Sequence, residues 1–477
     1  MDDGACRPAT ASAGAPLPFD PDPQQAGRLI EQAMGLLDGH LTGLAHRPAG
    51  GHEDPRELVD QLRVQRPGPA SSAEEAFAVL AEVVAAGRES TSGGELAYIP
   101  GSGLFSAAVA ELVAAGLNRY TGLPGIAPAA VALEAGVLDW LCELFELPDT
   151  AQGVLLSGGS IANLSALVAA RERLDASGGA GRATTHGRVY VGAQAHASVR
   201  KAARIAGLAP AQVRVCPSSD GLRLDVEAVR LAIKEDLAQG YEPMAIVGAA
   251  GTTNAGAIDP LADLADLAVE FDTWLHVDAA YGGFFQLTDR GRARLAGIER
   301  ADSITLDPHK SLFLPFGTGA LLVRDRTDLQ RAFAEDADYL RDLGGDDELP
   351  DFGQLTPELT RAWRGLRLWL PLQLHGLAAF RDALDHKLDL AEAAWRRLDA
   401  HPQVTTFGRP DLSIVAFRVA GDDAAQDAVL DRVNRHGSVR LSSTMIDRAV
   451  ALRLAVLSHR TDETHVASAL DLVVGAG

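Results

Sequence analysis

Cysteine is scarce in this chain. The three present, Cys6, Cys142 and Cys216, form neither a CxxC motif nor an even set. That excludes a disulfide framework and points to a reducing, cytoplasmic setting. Aromatic residues make up only 5% of the sequence. No apolar run reaches the roughly 18 to 20 residues a membrane span requires. The acidic start, Met1-Asp-Asp-Gly, has no apolar h-region, so no signal peptide is expected. Basic residues are few: 43 Lys and Arg stand against 64 Asp and Glu, a formal charge of -21. A chain so acidic lacks the basic face that nucleic acid or an anionic membrane would need. Hydrophobic residues, in contrast, reach 47% of 477 positions. A large core is therefore possible, divided among two or three domains.

Four parts can be read along the chain. Residues 1–23 are rich in Ala, Pro, Gly and Asp and are expected to be a disordered tail. Residues 24–95 form an N-terminal helical segment. One helix is expected over Gln24–Leu44, a Pro/Gly/His-rich linker over Arg47–Pro55, and a second helix over Ser71–Ala86, capped by Ser71 or Ser72. Residues 96–360 hold short apolar runs at Val154–Leu156, Arg188–Val191, Val213–Cys216, Met244–Ala250, Trp274–Val277, Ser303–Leu306 and Ala320–Val323. Helical patterns such as Ile161–Leu174 and Leu224–Ala238 lie between them. That alternation predicts an α/β domain around a large, mostly parallel sheet. Residues 361–477 read as a smaller α+β domain: a long helix over Arg361–Ala400, strands at Leu412–Val419 and Ala451–Leu457, and a helix from Glu463. No internal repeat is visible.

Chemistry concentrates where strands end. Ser157-Gly-Gly-Ser160 joins a strand to a helix, where glycines and free N–H groups suit a phosphate. Such a turn is just as often purely structural. Asp278 follows Trp274–Val277, among Ala279, Ala280, Gly282 and Gly283, small residues that leave room for a flat ring. Lys310 ends Ser303-Ile-Thr-Leu-Asp-Pro-His-Lys310, and the apolar run Leu312–Phe316 beside it favours a neutral, nucleophilic amine. A lysine and an aspartate so placed suit a pyridoxal phosphate (PLP) enzyme. The lysine would hold the cofactor as a Schiff base and the aspartate would pair with the pyridinium nitrogen. His196 and His309 are open to plainer readings, as a capping and a loop histidine. No metal site is expected.

Five segments, in this order, resemble the group II PLP-dependent amino acid decarboxylases: Ser157-Gly-Gly-Ser-Ile-Ala-Asn-Leu, Ala195-His-Ala-Ser, Gly251-Thr-Thr-Asn-Ala-Gly-Ala-Ile-Asp259, Leu275-His-Val-Asp-Ala-Ala-Tyr-Gly-Gly and Asp307-Pro-His-Lys-Ser. The similarity runs from about Ala97 to Leu457. It implies fold type I of the PLP-dependent transferases and a homodimer with active sites at the subunit interface. It also implies roles. Lys310 would carry PLP, Asp278 would pair with its ring nitrogen, and Ala280 and His196 would lie on opposite ring faces. Gly159, Ser160 and His309 would bind phosphate with Asp307 nearby, and Thr253 would contact the cofactor or Asp278. Tyr339, in a Gly- and acid-rich stretch that suits a lid, would protonate Cα after CO2 leaves.

The chain departs from the family pattern at Ser311, where tryptophan is common, at Ile161, where glutamate is common, and at Val131-Ala132, where Thr-Glu is usual. The substrate-side residues are Tyr98, Ile99, Pro100 and Gly101, and relatives acting on aromatic amino acids carry a bulkier aromatic at the Ile99 position and a threonine at the Gly101 position. No arginine in these segments offers a site for a side-chain carboxylate. The expectation is decarboxylation of an apolar or aromatic L-amino acid to its amine. The alternatives are an aldehyde synthase or aminotransferase on the same scaffold, or a non-catalytic protein of the same fold.

Overall fold

The computed structural model describes residues 18–50, 55–64, 66, 68–335 and 349–475. Among these, seven strands form the main sheet: β1 (Gln152–Leu156), β2 (Gly187–Gly192), β3 (Val213–Cys216), β4 (Glu242–Ala249), β5 (Trp274–Asp278), β6 (Ser303–Leu306) and β7 (Gly319–Val323). Their order is β1-β7-β6-β5-β4-β2-β3. The pairs β2–β3, β2–β4, β4–β5 and β5–β6 are parallel, and β7 runs antiparallel to both of its neighbours. Every residue of β2, β5, β6 and β7 is buried. Helices cover both faces of such a sheet, so its strands carry continuous apolar runs rather than alternation. The expected strands are all present, with ends shifted by a residue or two.

Parallel neighbours need crossovers, and helices Ala197–Ile205, Val226–Ala238 and Leu261–Glu270 supply them. β6 and β7 are antiparallel, so a short return, residues 307–318, suffices between them. That return carries Lys310.

The smaller sheet, β8 (Val404–Thr406), β9 (Ile414–Val419), β10 (Ser442–Ile446) and β11 (Ala449–Ala455), is antiparallel in the order β10-β11-β9-β8. Sequence patterning shows β9 and β11 but not β8 or β10. β8 is three residues long, and β10 has the half-exposed, hydroxyl-rich pattern of an edge strand. Helices Arg56–Val64, Phe105–Leu117, Pro128–Leu144 and Asp423–His436 also go beyond the expectation.

The expected long helix is Gly365–Asp399, broken at Gly376, whose φ of 73° a helix cannot accommodate. Leu368, Phe380, Leu384 and Leu388 join the large-sheet core. Leu390, Ala391, Ala394 and Leu398 join the core of the smaller sheet. One helix thus fastens the two sheets to each other.

In the N-terminal segment, Ser72 caps Ala73–Ala85 with a capping box: its Oγ accepts from Glu75 N–H, and Glu75 Oε2 accepts from Ser72 N–H. Asp22 does the same for Pro23–Leu41. None of the residues of Pro23–Leu41, Arg56–Val64 or Ala73–Ala85 is buried. Residues 1–17 of the expected tail lie outside the described residues.

Candidate active site

A cavity of about 590 Å³ opens at the carboxyl ends of β4, β5 and β6 and at the start of helix Gly159–Gly178. Crevices at the carboxyl ends of parallel strands are where α/β folds place their ligands. Gly159, Ser160, His196, Thr253, Asp278, Ala280, Asp307, His309, Lys310, Tyr98 and Ile99 all line it. Pro100 and Gly101 do not: both are buried behind the wall, and Gly101 sits against the ring of Phe316, which does line it. Tyr339 lies outside the described residues.

Asp278 is the last residue of β5. Its Oδ1 accepts from Ala280 N–H at 3.2 Å, and its Oδ2 accepts from the Asn163 side-chain amide at 2.9 Å. Lys310 lies in a single helical turn, Pro308–Ser311. The apolar run after it does not seal its amine. The side chain keeps 23% of its exposure, and Nζ lies 2.9 Å from Asp307 Oδ2. Asp307 Oδ1 accepts from Gly159 N–H at 2.6 Å, so one carboxylate ties the lysine to the helix N-terminus. His309 donates from Nδ1 to the Thr318 carbonyl at 2.6 Å, which leaves Nε2 facing Asp307 at 3.7 Å. His196 caps helix Ala197–Ile205, its Nδ1 accepting from Ser198 N–H at 3.3 Å.

The Gly251–Asp259 segment is held from its end. Asp259 is buried, and its carboxylate accepts from Ala249 and Leu224 N–H groups, both at 2.7 Å. Burial nevertheless pushes it up to about 6. Tyr281 reaches across to the smaller sheet, where its hydroxyl lies 2.8 Å from Ser413 Oγ. Ser311, where the family has tryptophan, is fully buried and donates to the Tyr281 carbonyl at 2.8 Å.

Sequence reasoning missed Arg453. It sits on β11, far along the chain, yet it lines the cavity. It is 4% exposed, and its guanidinium donates to the Asn254 carbonyl at 2.9 Å and the Tyr98 carbonyl at 3.3 Å. No carboxylate pairs with it among the described residues, and burial pushes it down to about 10. A strand pattern was visible there, but the register that turns this side chain inward was not.

These residues fit PLP. Asp278, Lys310 and the small side chain of Ala280 all line one cavity. Gly159 leaves the space an anion needs at the helix start: a Cβ there would lie 2.9 Å from Asp307 Oδ2 and 3.1 Å from Ala280 Cβ. Overpacking of that kind costs about 1–3 kcal/mol. Gly159→Ala is therefore expected to weaken PLP binding about tenfold or more. Titrating the apoprotein with PLP checks this; an unchanged affinity would remove Gly159 from the cradle.

The fold and this cavity define a fold-type-I PLP enzyme. The family model for the pyridoxal-dependent decarboxylase conserved domain matches residues 61–420. The chain is 33% identical to an aromatic-L-amino-acid decarboxylase of Bacillus atrophaeus, over 92% of each chain. It is 35% identical to an L-2,4-diaminobutyrate decarboxylase of Rhizobium meliloti, over 77% of this chain and 74% of that one. A crystal structure of Oryza sativa TDC with PLP and tryptamine superposes with a TM-score of 0.90 at 28% identity, covering 96% of this chain and 99% of that one. The chain belongs to the pyridoxal-dependent decarboxylase family and is a PLP-dependent amino acid decarboxylase.

Proposed function

We propose that the chain converts an aromatic or other apolar L-amino acid to its amine and CO2. The observation that carries this is the cavity's division of labour. Arg453 is a buried cation without an acidic partner among the described residues, and Tyr98, Ile99 and Phe316 form an apolar wall nearby. A cation of that kind suits the α-carboxylate that every amino acid carries, and the wall suits an apolar side chain. Relatives named for aromatic substrates agree with it. The diaminobutyrate relative suggests a second reading, a substrate with a side-chain ammonium. Against it, the acids lining the cavity are already engaged: Asp278 with Asn163, and Asp307 with Lys310 and Gly159.

PLP, when bound, supplies the electron sink for loss of CO2. Lys310 holds it, Asp278 pairs with its ring nitrogen, and His196 covers one ring face. Ser160 and His309 take the phosphate, and Thr253 the cofactor's oxygen side. Tyr339 delivers the proton to Cα. These roles are supported by the family resemblance and, except for Tyr339, by placement in one cavity.

The test is one incubation of PLP-loaded protein with a panel of amino acids, measuring CO2, amine, ammonia and peroxide. Aromatic substrates are expected to release amine and CO2 in equal amounts. Turnover confined to acidic or diamino substrates would overturn the substrate reading. Tyr339→Phe should cut amine formation about 10²-fold, the typical worth of a positioned proton donor, and divert product to aldehyde and ammonia, with dissolved O2 as the oxidant that is reduced to peroxide. An unchanged amine yield would remove Tyr339 from that role.

A homodimer in a reducing cytoplasm completes the proposal. The N-terminal helices expose Ile30, Met34, Leu37, Val79, Leu80, Val83 and Val84, apolar faces that a second copy would cover. Cys142 and Cys216 are free, buried thiols. Sedimentation of the intact chain as a monomer would contradict the dimer.

A further inference from the structure

One buried amide joins both flanks of the cofactor site. Asn163 lies in helix Gly159–Gly178 and is 1% exposed. Its Nδ2 is 2.9 Å from Asp278 Oδ2 and 2.9 Å from Ser198 Oγ, and its Oδ1 is 3.0 Å from His276 Nε2. His276 Nδ1 is 2.8 Å from Ser303 Oγ, which also receives the Trp274 indole N–H at 2.8 Å. On the other branch, Ser198 Oγ is 2.7 Å from His196 Nδ1.

Donor direction follows from these contacts. An ionised carboxylate only accepts, so the amide nitrogen of Asn163 faces Asp278 and its oxygen faces His276. His276 must then carry a proton on Nε2. Burial holds this histidine well below its ordinary value, so near neutral pH its Nδ1 is bare and accepts from the Ser303 hydroxyl. The Trp274 N–H, a donor only, fills a lone pair on Ser303. The second Asn163 hydrogen goes to Ser198 Oγ, whose own hydrogen goes to His196 Nδ1. A neutral His196 therefore keeps its proton on Nε2. A half-turn of the Asn163 amide would set oxygen against Asp278 and N–H against N–H at His276. In a buried site such misplaced polar contacts are costly.

We propose that Asn163 is a positioning residue for both flanks of the cofactor ring: it donates to Asp278 and fixes that carboxylate in place and, through Ser198, places the His196 proton on Nε2, while His276 locks the amide's orientation. This rests on the PLP decarboxylase reading above. His276 and Ser303 do not line the cavity; His276 reaches the site by its hydrogen bond to Asn163, and it also feels the charge of Asp278.

The test compares full-length, PLP-loaded variants with the parent by kcat, KM and visible PLP absorbance. Asn163→Leu should lower kcat about 10- to 100-fold, the range expected for one lost hydrogen bond to a charged group. KM should move less than about threefold, because the hydrogen bonds of Asn163 run to Asp278, Ser198 and His276, and the absorbance should shift. His276→Leu should reproduce that shift from outside the cavity. His276→Gln, which keeps an N–H within reach of Asn163 Oδ1, should recover most of the lost kcat. Ser198→Ala should lower kcat and leave the absorbance in place, because it breaks only the His196 branch. Parental kcat and absorbance in both leucine variants would overturn the proposal, as would a His276→Gln variant as impaired as His276→Leu. If the leucine variants do not fold, Ser198→Ala decides: parental kcat there overturns it. A parent without PLP absorbance would overturn both this proposal and the cofactor assignment. A parent that binds PLP but makes no amine would overturn only the decarboxylase reading, and the absorbance comparisons still decide the role of Asn163.

Discussion

Lys310→Ala should abolish the visible PLP band and reduce decarboxylation by about 10⁴-fold or more, the scale set by removal of other catalytic nucleophiles. The chain has three other lysines, Lys201, Lys234 and Lys387, so the assignment is unusually easy to check. Lys387 is the competitor to consider. It is 1% exposed, burial pushes its amine down to about 8, and it donates to the Thr461 carbonyl at 2.5 Å. A near-neutral amine of that kind is nucleophilic, but it does not line the cavity. Lys310 does, together with the glycine turn and Asp278. Borohydride reduction of the PLP-loaded parent followed by peptide mass spectrometry should therefore find the cofactor on Lys310. In Lys310→Ala, Gly159, Ser160 and His309 remain, so PLP should still bind but dialyse away. Cofactor fixed on another lysine, or parental activity in the variant, would sink the assignment.

The largest stability effect is expected at Glu134. Glu134 and Arg361 form an ion pair in which both side chains are fully buried. Arg361 also donates to the Leu155 carbonyl at 3.1 Å and lies over the Phe352 ring, and Glu134 Oε2 accepts from Gly365 N–H at 3.1 Å. The pair ties helix Pro128–Leu144 to β1 and to the start of helix Gly365–Asp399. Two nitrogens of Arg361, Nε and Nη1, find no hydrogen-bond partner among the described residues. Its charge thus depends on Glu134. Removing one member of a buried pair costs about 3–5 kcal/mol, mostly because the other charge is left uncompensated. Glu134→Ala should lower the urea midpoint accordingly when PLP is held at one saturating concentration, since bound ligand itself adds stability. Glu134→Gln keeps the volume and the acceptor for Gly365 N–H, so comparing it with Glu134→Ala separates charge from packing. A loss below about 1 kcal/mol in Glu134→Ala would mean that water or relaxation reaches Arg361.

Much of the site was legible in the sequence because its chemistry is local. Asp278, Asp307 and Lys310 each sit at or just after the end of an apolar run, and the glycine turn at 158–159 follows another. A buried parallel strand announces itself by composition, and the crevice at its carboxyl end follows from topology. The hairpin partner β8 and the edge strand β10 were not legible: a three-residue strand and a hydroxyl-rich one carry no apolar signature. Helices Phe105–Leu117 and Pro128–Leu144 were also overlooked. The expected enclosure of Lys310 by Leu312–Phe316 did not hold, because the turn after β6 directs the amine toward Asp307.

The sequence by itself determined the kind of chemistry: a glycine turn after β1, an aspartate at the end of β5 and a lysine after β6, in an order that one family shares. Only the tertiary structure decided what surrounds them. Arg453 enters the cavity through the register of β11 against β9 and β10, a pairing between residues distant in sequence. His276, read only as part of a strand motif, becomes the lock on Asn163 because neighbouring strands and a covering helix bring their side chains within hydrogen-bond distance. Strand ends are a local property of the chain, whereas the direction of a buried hydrogen bond depends on every partner that the fold brings to it.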